Sequence, residues 1–549
     1  MTLVNRLSAA LLLTLTGSLT VSLFFKDRYL WMDEVLSYLL LSDSSLTHVN
    51  QAIVSGMDAN PPLFVNTYWF LGHWFSLNPF FLKGVSIGLF AITVVWFFRY
   101  VTQLLTTEFV DRRGSVATPR QVAVVNFVVI TAFVALTYLN YTLATQIRTY
   151  SLYLLLGWAY IVVLHQLIGQ PAQRRWLVAQ AVIGTLFMFT HNVALFYLTA
   201  TGAFFGLLWL YTGLRKQDWL TYLPVLGVHL FMAVIWLLAW FPSFSIQAQS
   251  GVPHSWIPVP TVMSFFETIG DLLPTLSARV ENMYPPLVIL RVVAASALFI
   301  WITSGRLISP ERSVLGDPVF SLYLFAGFVV GFTLLLGLTV SLVHTSVFLN
   351  RYFWPSTLLL MYQLLYAGWW ISAKAKQRTH ASIIPRRLPF VSVVKTMALP
   401  VFLLLIGVFI LVQNRKVPLF SGAIRHDLAQ LDPRQPVLFE SAYYFLPIRF
   451  YQTNRSAYYL LHWPTALDKR NVLESTTDYK ILEGVADHYN LTGLIRPNEF
   501  TPTRFSKHFY VVDEASRYQI EAFIKSGQVK VHRVIPTSVS GHRILDCSF

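Results

Sequence analysis

Long apolar runs recur through the first three quarters of this sequence. Each is long enough for the roughly 20 residues that carry a helix across a bilayer. The composition agrees: 55% of residues are hydrophobic and 12% are charged, where soluble domains carry roughly 25% charged residues. The chain therefore reads as an all-α polytopic membrane bundle of about eleven transmembrane helices. The first run, 7–25, is too long for a cleavable signal peptide and lacks a small-residue cleavage site, so it counts as the first span. Further spans are expected near 82–105, 122–139 and 150–168. Others end close to Thr190, Arg215, Phe241, Arg306 and His344, one begins at Arg351, and the last covers 396–412. Two long, aromatic loops interrupt the pattern, 26–78 and 242–286.

Basic residues set the orientation. The net charge of +15 is no nucleic-acid signal in such a chain, because Lys and Arg collect in cytoplasmic loops. Loops after even-numbered spans hold Arg112, Arg113, Arg174, Arg175, Arg215, Lys216, Arg306, Arg312 and the run from Lys374 to Lys395. They are placed inside, with the N-terminus. Both long loops and everything after the last span are placed outside. Two domains follow: a transmembrane catalytic domain, 1–412, and an extracytosolic (periplasmic) domain, 413–549. In the second, short apolar runs such as Pro436-Val-Leu-Phe-Glu440, Leu494-Ile-Arg496 and His508-Phe-Tyr-Val-Val-Asp513, with a further run at 529–535, read as buried strands. A helical stretch at 516–526 lies among them, predicting a small α/β domain. Cys547 is the single cysteine, which excludes an intramolecular disulfide.

Asp33 and Glu34 stand out next. They lie just past the first span, among Trp31, Met32 and Val35. Adjacent carboxylates in an apolar surround repel one another and favour the protonated form, which suits general-base work. The competing reading is an interfacial acidic pair facing water. Asp58 comes shortly before Pro61-Pro62, a helix start on the same outer loop. Arg148 and Arg351 sit at the outer mouths of two spans, against the inside preference of the other cations, where two guanidinium groups suit a lipid phosphate. His191 and His344 lie at the same level. The histidines show no zinc-like spacing. A divalent metal ion held by Asp33 and Asp58 stays open.

These pieces, in order, resemble the GT-C membrane glycosyltransferases, most closely glycosyltransferase family 39 and the related lipid A aminoarabinose transferases. Trp31-Met-Asp-Glu-Val-Leu-Ser37 looks like the family's Trp-x-Asp-Glu-x-x-Ser, and Asp58-Ala-Asn-Pro-Pro-Leu63 like its Asp-x-His-Pro-Pro-Leu, with Asn60 for the usual His. Arg148-Thr-Tyr-Ser-Leu152, Thr190-His-Asn192 and Arg351-Tyr352 complete the set, over about the first 370 residues. The resemblance implies an inverting transfer of a sugar from a polyprenyl-phosphate carrier, such as undecaprenyl phosphate, to a hydroxyl on a glycolipid, polysaccharide or protein. It implies Asp33 as base, with Glu34 and Asp58 orienting the acceptor or tuning Asp33. Arg148 and Arg351 would stabilise the leaving phosphate, with His191 and Tyr352 beside them. It implies a site at the outer face of a bacterial cytoplasmic membrane. The rival is a transporter or flippase of lipid-linked sugars, which would place its ionisable residues near mid-span. A lipid-dependent ligase would lean on Arg and His instead of a carboxylate in the first loop. A non-catalytic scaffold would be indifferent to Asp33.

Overall fold

A computed structural model describes residues 2–25, 29–112, 117–214, 219–275, 284–308, 316–379, 391–415, 423–451, 456–468, 475–514 and 519–549. Helix α1 (Leu3–Phe25) leads into three short helices, α2 (Met32–Ser42), α3 (Leu46–Val54) and α4 (Leu63–Trp74). Long helices then resume with α5 (Pro79–Thr106). The Asn78 side chain accepts from the Phe80 amide and Pro79 occupies the first turn, where a missing N–H leaves no bond unmade. A Thr118–Gln121 capping box starts α6 (Pro119–Leu136). The chain continues through α7 (Tyr138–Leu143), α8 (Tyr150–Gly169), α9 (Arg174–Met188), α10 (Ala194–Leu214), α11 (Leu223–Ala239), α12 (Phe241–Gly251) and α13 (Val262–Asp271). Then come α14 (Pro285–Ile308), α15 (Pro318–Val343), α16 (Pro355–Thr379) and α17 (Val391–Arg415). Asp317 caps α15 and pairs with Arg306 from the preceding helix.

Each of the expected spans is a helix, but among the described residues seven of them are long and apolar enough to cross a membrane unaided, and an eighth if α11 and α12, bent by 68°, count as one. The shortfall lies in α9, α16 and α17. The first has 15 residues, the second is diluted by Tyr362, Gln363, Tyr366, Trp369 and Trp370, and the described apolar part of the third is Leu399–Asn414. In α8, 78% of the apolar window is buried, against 17% in α14, so α8 is central and α14 peripheral. Several cations behind the orientation reading, among them Arg113, Arg215, Lys216, Arg312, Arg386 and Arg387, lie outside the described residues.

The C-terminal part is a six-stranded sheet: β1 (Val437–Phe439), β2 (Ala457–Leu460), β3 (Leu494–Ile495), β4 (His508–Asp513), β5 (Lys530–Pro536) and β6 (Arg543–Ser548), ordered β3-β2-β1-β4-β6-β5. The first four run parallel, and β6 and β5 add an antiparallel edge. The helices here are α18 (Ala423–Ala429), α19 (Ala442–Tyr451), α20 (Trp463–Leu467), α21 (Thr476–Tyr489) and α22 (Gln519–Lys525). The two-residue period of a strand splits the side chains between faces. Val437, Phe439, Tyr510 and Val512 pack with α19 and α21 in an apolar core continuous with the helical bundle. Leu438, Phe509 and Val511 face the other way, with Ile520 of α22. Of the four runs read as strands, all are strands. The sequence reading missed β2 and β6.

The sheet is fastened to the bundle by polar contacts. The Tyr451 hydroxyl accepts from the Leu30 amide at 3.0 Å, and Tyr489 donates to Asp43 at 3.0 Å. Thr476 donates to the Ser250 carbonyl at 2.6 Å, and its amide donates to the His254 carbonyl.

Candidate active site

A cavity of about 1070 Å³ lies between the bundle and the sheet. Its wall is drawn from the chain around Asp33, Asp58, Arg148, His191, Trp256, His344 and Arg351, and from the sheet domain. Each bundle contribution comes from a junction between successive long helices: α1 to α5, α6 to α8, α9 to α10, α11 to α14, and α15 to α16. The ends of the long helices thus alternate about the cavity, as they must if all of them cross.

Asp33 and Glu34 part company at the start of α2. Successive helical residues differ by about 100° in direction, so one side chain faces the cavity and the other faces the bundle. Asp33 lines the cavity. Its Oδ2 is 3.9 Å from an Arg148 nitrogen and 4.0 Å from an Arg351 nitrogen. Glu34 does not line it. Its side chain is 1% exposed, 3.2 Å from Lys83 Nζ at the head of α5, and it accepts the Ile147 amide at 2.9 Å. The adjacency that drew attention to the pair is therefore a division between a cavity carboxylate and a buried anchor. Lys83 was missed in the sequence reading. The signal was available: a cation inside a span near its end needs a partner.

Arg148 sits just ahead of α8. It donates to the Asp33 carbonyl at 3.2 Å and to Ser37 Oγ at 3.1 Å, and it lies 3.7 Å from Asp58 Oδ2. Burial works against its charge, but Asp33 and Asp58 outweigh it and raise its pKa above the ordinary value. The position between Asp33 and Asp58, left open for a divalent ion, is thus bridged by the Arg148 guanidinium. Among the described residues no group of three or more His, Cys, Asp or Glu is placed to hold a metal ion. Asn60 closes a turn on Asp58: its amide and its Nδ2 both donate to Oδ1, at 3.0 and 3.1 Å.

Arg351 enters on a short 3-10 turn, Asn350–Phe353, ahead of α16. Its guanidinium lies over Trp256 at 5.2 Å, Tyr352 at 5.8 Å and Trp31 at 5.9 Å, a cage of π faces. Burial opposes its charge too, while Tyr150, Tyr352 and Asp33 raise its pKa. The buried Nε atoms of Arg148 and Arg351 and the Trp31 indole N–H have no hydrogen-bond partner among the described residues. His191 stacks on Tyr153 with centroids 5.0 Å apart and packs 4.9 Å from Tyr352. Burial, with the nearby charges of Arg148 and Arg351, pushes its pKa down to about 3. Its Nδ1 accepts the Val193 amide at 3.1 Å, which leaves a neutral ring with its proton on Nε2. The structure thus gathers Asp33, Asp58, Arg148, His191, Arg351 and Tyr352 and leaves Glu34 aside.

No protein-family model matches the sequence, and no curated protein matches it by sequence. Structure gives a likeness. The crystal structure of ArnT from Cupriavidus metallidurans bound to undecaprenyl phosphate superposes with a TM-score of 0.52 at 12% identity, covering 100% of this chain and 98% of that one. The apo structure of the same protein gives 0.52 at 11% identity, over 97% and 96%. The chain has the GT-C fold, sheet domain included.

Proposed function

We propose that this protein is an inverting glycosyltransferase that moves a sugar from a polyprenyl-phosphate carrier to a hydroxyl acceptor at the outer face of the membrane. One observation carries the reading: an acidic side chain lies between two largely buried arginines, in a cavity at the ends of membrane helices. A lipid phosphate fits that arrangement. It pairs with the guanidinium groups of Arg148 and Arg351, which line the cavity, with the His191 Nε2–H as a neutral third. As it draws the guanidinium groups toward itself, it loosens their hold on Asp33. The Asp33 carboxylate then accepts the proton of the acceptor hydroxyl. The oxygen attacks the anomeric carbon, the bond from that carbon to the phosphate oxygen breaks, and its electron pair leaves with polyprenyl phosphate. The two cations stabilise the developing charge, the kind of preorganised electrostatic help that dominates many such reactions. The ArnT complex with undecaprenyl phosphate supports the choice of carrier by its fold.

A transporter reading would need ionisable groups at mid-span. The site residues here cluster at one end of the helices. The test is comparative mass spectrometry of envelope glycolipids and glycans from cells with the gene, without it, and with the Asp33→Asn allele. Loss of one sugar together with accumulation of its lipid-linked donor, in both defective strains, is the expected result. Unchanged glycans without the gene would overturn the reading.

A further inference from the structure

The sheet domain has a crevice of its own, and it opens into the same cavity. In the order β3-β2-β1-β4, the chain leaves β1 toward β2 on one side, while β4 pairs on the other, so strand order reverses between β1 and β4. In open parallel sheets, ligands bind outside the carboxyl ends of the strands at such a reversal. Both carboxyl ends meet the cavity here. Tyr443 and Tyr444 follow β1, and Glu514 follows β4. Asp478, in the first turn of α21, and His542, just ahead of β6, complete the wall.

The arginines of the cavity lie on its bundle side. The bundle end presents Arg148 and Arg351 together with Asp33 and Asp58, which pair with them. The sheet end presents Asp478 and Glu514. Asp478 is oriented by Ser475, whose amide and hydroxyl donate to its Oδ2 at 3.1 and 2.8 Å. That leaves acceptor capacity on the same carboxylate. Glu514 lies 3.5 Å from His542 Nε2, a long contact, with both side chains largely buried. Tyr444 sets its ring edge-on to His542 at 4.9 Å, and Tyr443 packs 6.1 Å from Trp31, joining the two walls with aromatic surface. Carboxylates repel a second phosphate but accept hydrogen bonds from hydroxyls well, and aromatic rings bury the apolar faces of a sugar ring. At about 1070 Å³, the cavity lies at the upper end of the roughly 300–1,000 Å³ usual for ligand pockets.

We propose that the carboxyl-end crevice of the sheet domain is a saccharide subsite, in which Asp478 and Glu514 accept hydrogen bonds from the hydroxyls of an uncharged sugar on the acceptor. The assignment of that sugar to the acceptor rests on the transfer reading above. The subsite itself is testable without turnover. Full-length protein in detergent is mixed with the methyl glycosides of glucose, galactose, mannose and N-acetylglucosamine and followed by saturation-transfer NMR. Binding of undecaprenyl phosphate is measured on the same samples. At least one glycoside is expected to show saturation transfer. Glu514→Gln should weaken it about tenfold, as the loss of a charged hydrogen bond does. Asp478→Asn should do likewise, and Glu514→Gln covers the case in which the Asp478 change unsettles α21. Arg351→Gln should instead weaken undecaprenyl phosphate and spare the glycoside. Overturning results are the absence of any glycoside signal, a signal indifferent to Glu514→Gln, or a signal lost only with Arg351→Gln. If a glycoside binds as expected while undecaprenyl phosphate does not, the subsite stands and the transfer reading falls.

Discussion

At the scale of single residues, the pair Asp33–Glu34 carries two separable jobs. Asp33→Asn keeps the shape but cannot take a proton. Turnover should drop by about 10²–10⁴-fold, the usual range for a lost general base, while undecaprenyl phosphate still binds. Turnover near wild type would remove Asp33 from the chemistry. Glu34 belongs to stability. Removing one partner of a buried ion pair costs about 3–5 kcal/mol, because the other charge stays buried. Lys83→Met should therefore lower the unfolding temperature strongly, and adding Glu34→Gln should recover most of the loss. A double-mutant cycle on purified protein measures this coupling; additive losses would show that the 3.2 Å contact carries no energy. Asp33, Asp58, Arg148 and Arg351 were legible in sequence, because charges at the ends of apolar runs are conspicuous, and His191 stood out only by its level beside them. Lys83 was not paired with Glu34, since 49 positions separate them and no spacing encodes the meeting. Asp478 and Glu514 were equally hidden, because in a polar domain two more carboxylates carry no signal until the fold turns them toward a cavity.

At the scale of elements, α21 shows how a cap becomes part of a site. Ser475 and Asp478 form a capping box, a local feature written in sequence. The helix start it fixes delivers a carboxylate to the cavity. Burial, and then the negative charge of Asp33, push the Asp478 pKa from 3.8 up to about 6. The sign follows from proton linkage. Below about pH 4 the carboxyl is protonated folded or unfolded. Between about pH 4 and 6 the folded chain alone retains the proton, so this contribution is lost as pH rises through that window. Asp478→Asn cannot ionise and keeps an acceptor for the Ser475 amide. Thermal unfolding across pH 4 to 7 should show the variant gaining on the wild type up to about pH 6 and holding level above it; a constant difference would mean that burial does not raise the Asp478 pKa. The strands divide in the same way between local and distant causes. The apolar β1 and β4 are readable as buried runs. Strand β2 has four residues, and β6 carries Arg543 and Asp546, which pair with Asp513 and Arg533 on its two neighbours. A strand whose charges are satisfied across the ladder looks polar until its neighbours are known.

At the scale of the whole molecule, the alternation of helix ends bears on topology more directly than hydropathy does. Seven or eight helices pass as spans by length and composition, yet the cavity is reached from every second junction along the chain. That alternation holds only if α9, α16 and α17 also traverse the bundle, shielded by neighbours that are more apolar. The expectation of about eleven crossings, with cavity and sheet domain outside and basic loops inside, then becomes a labelling experiment that the chain is suited to. Cys547 is fully buried in β6, so it should stay silent toward a maleimide in the folded protein. Val259, 64% exposed in the stretch between α12 and α13, is a site for an outer reporter, and the exposed Lys376 near the end of α16 for an inner one. In intact spheroplasts a membrane-impermeant maleimide should label Val259→Cys at once and Lys376→Cys only after permeabilisation. The reverse order would put the Asp33 cavity on the cytoplasmic side. Labelling of both from outside would show that α16 does not separate the two faces, and that the even spacing of cavity junctions has another cause.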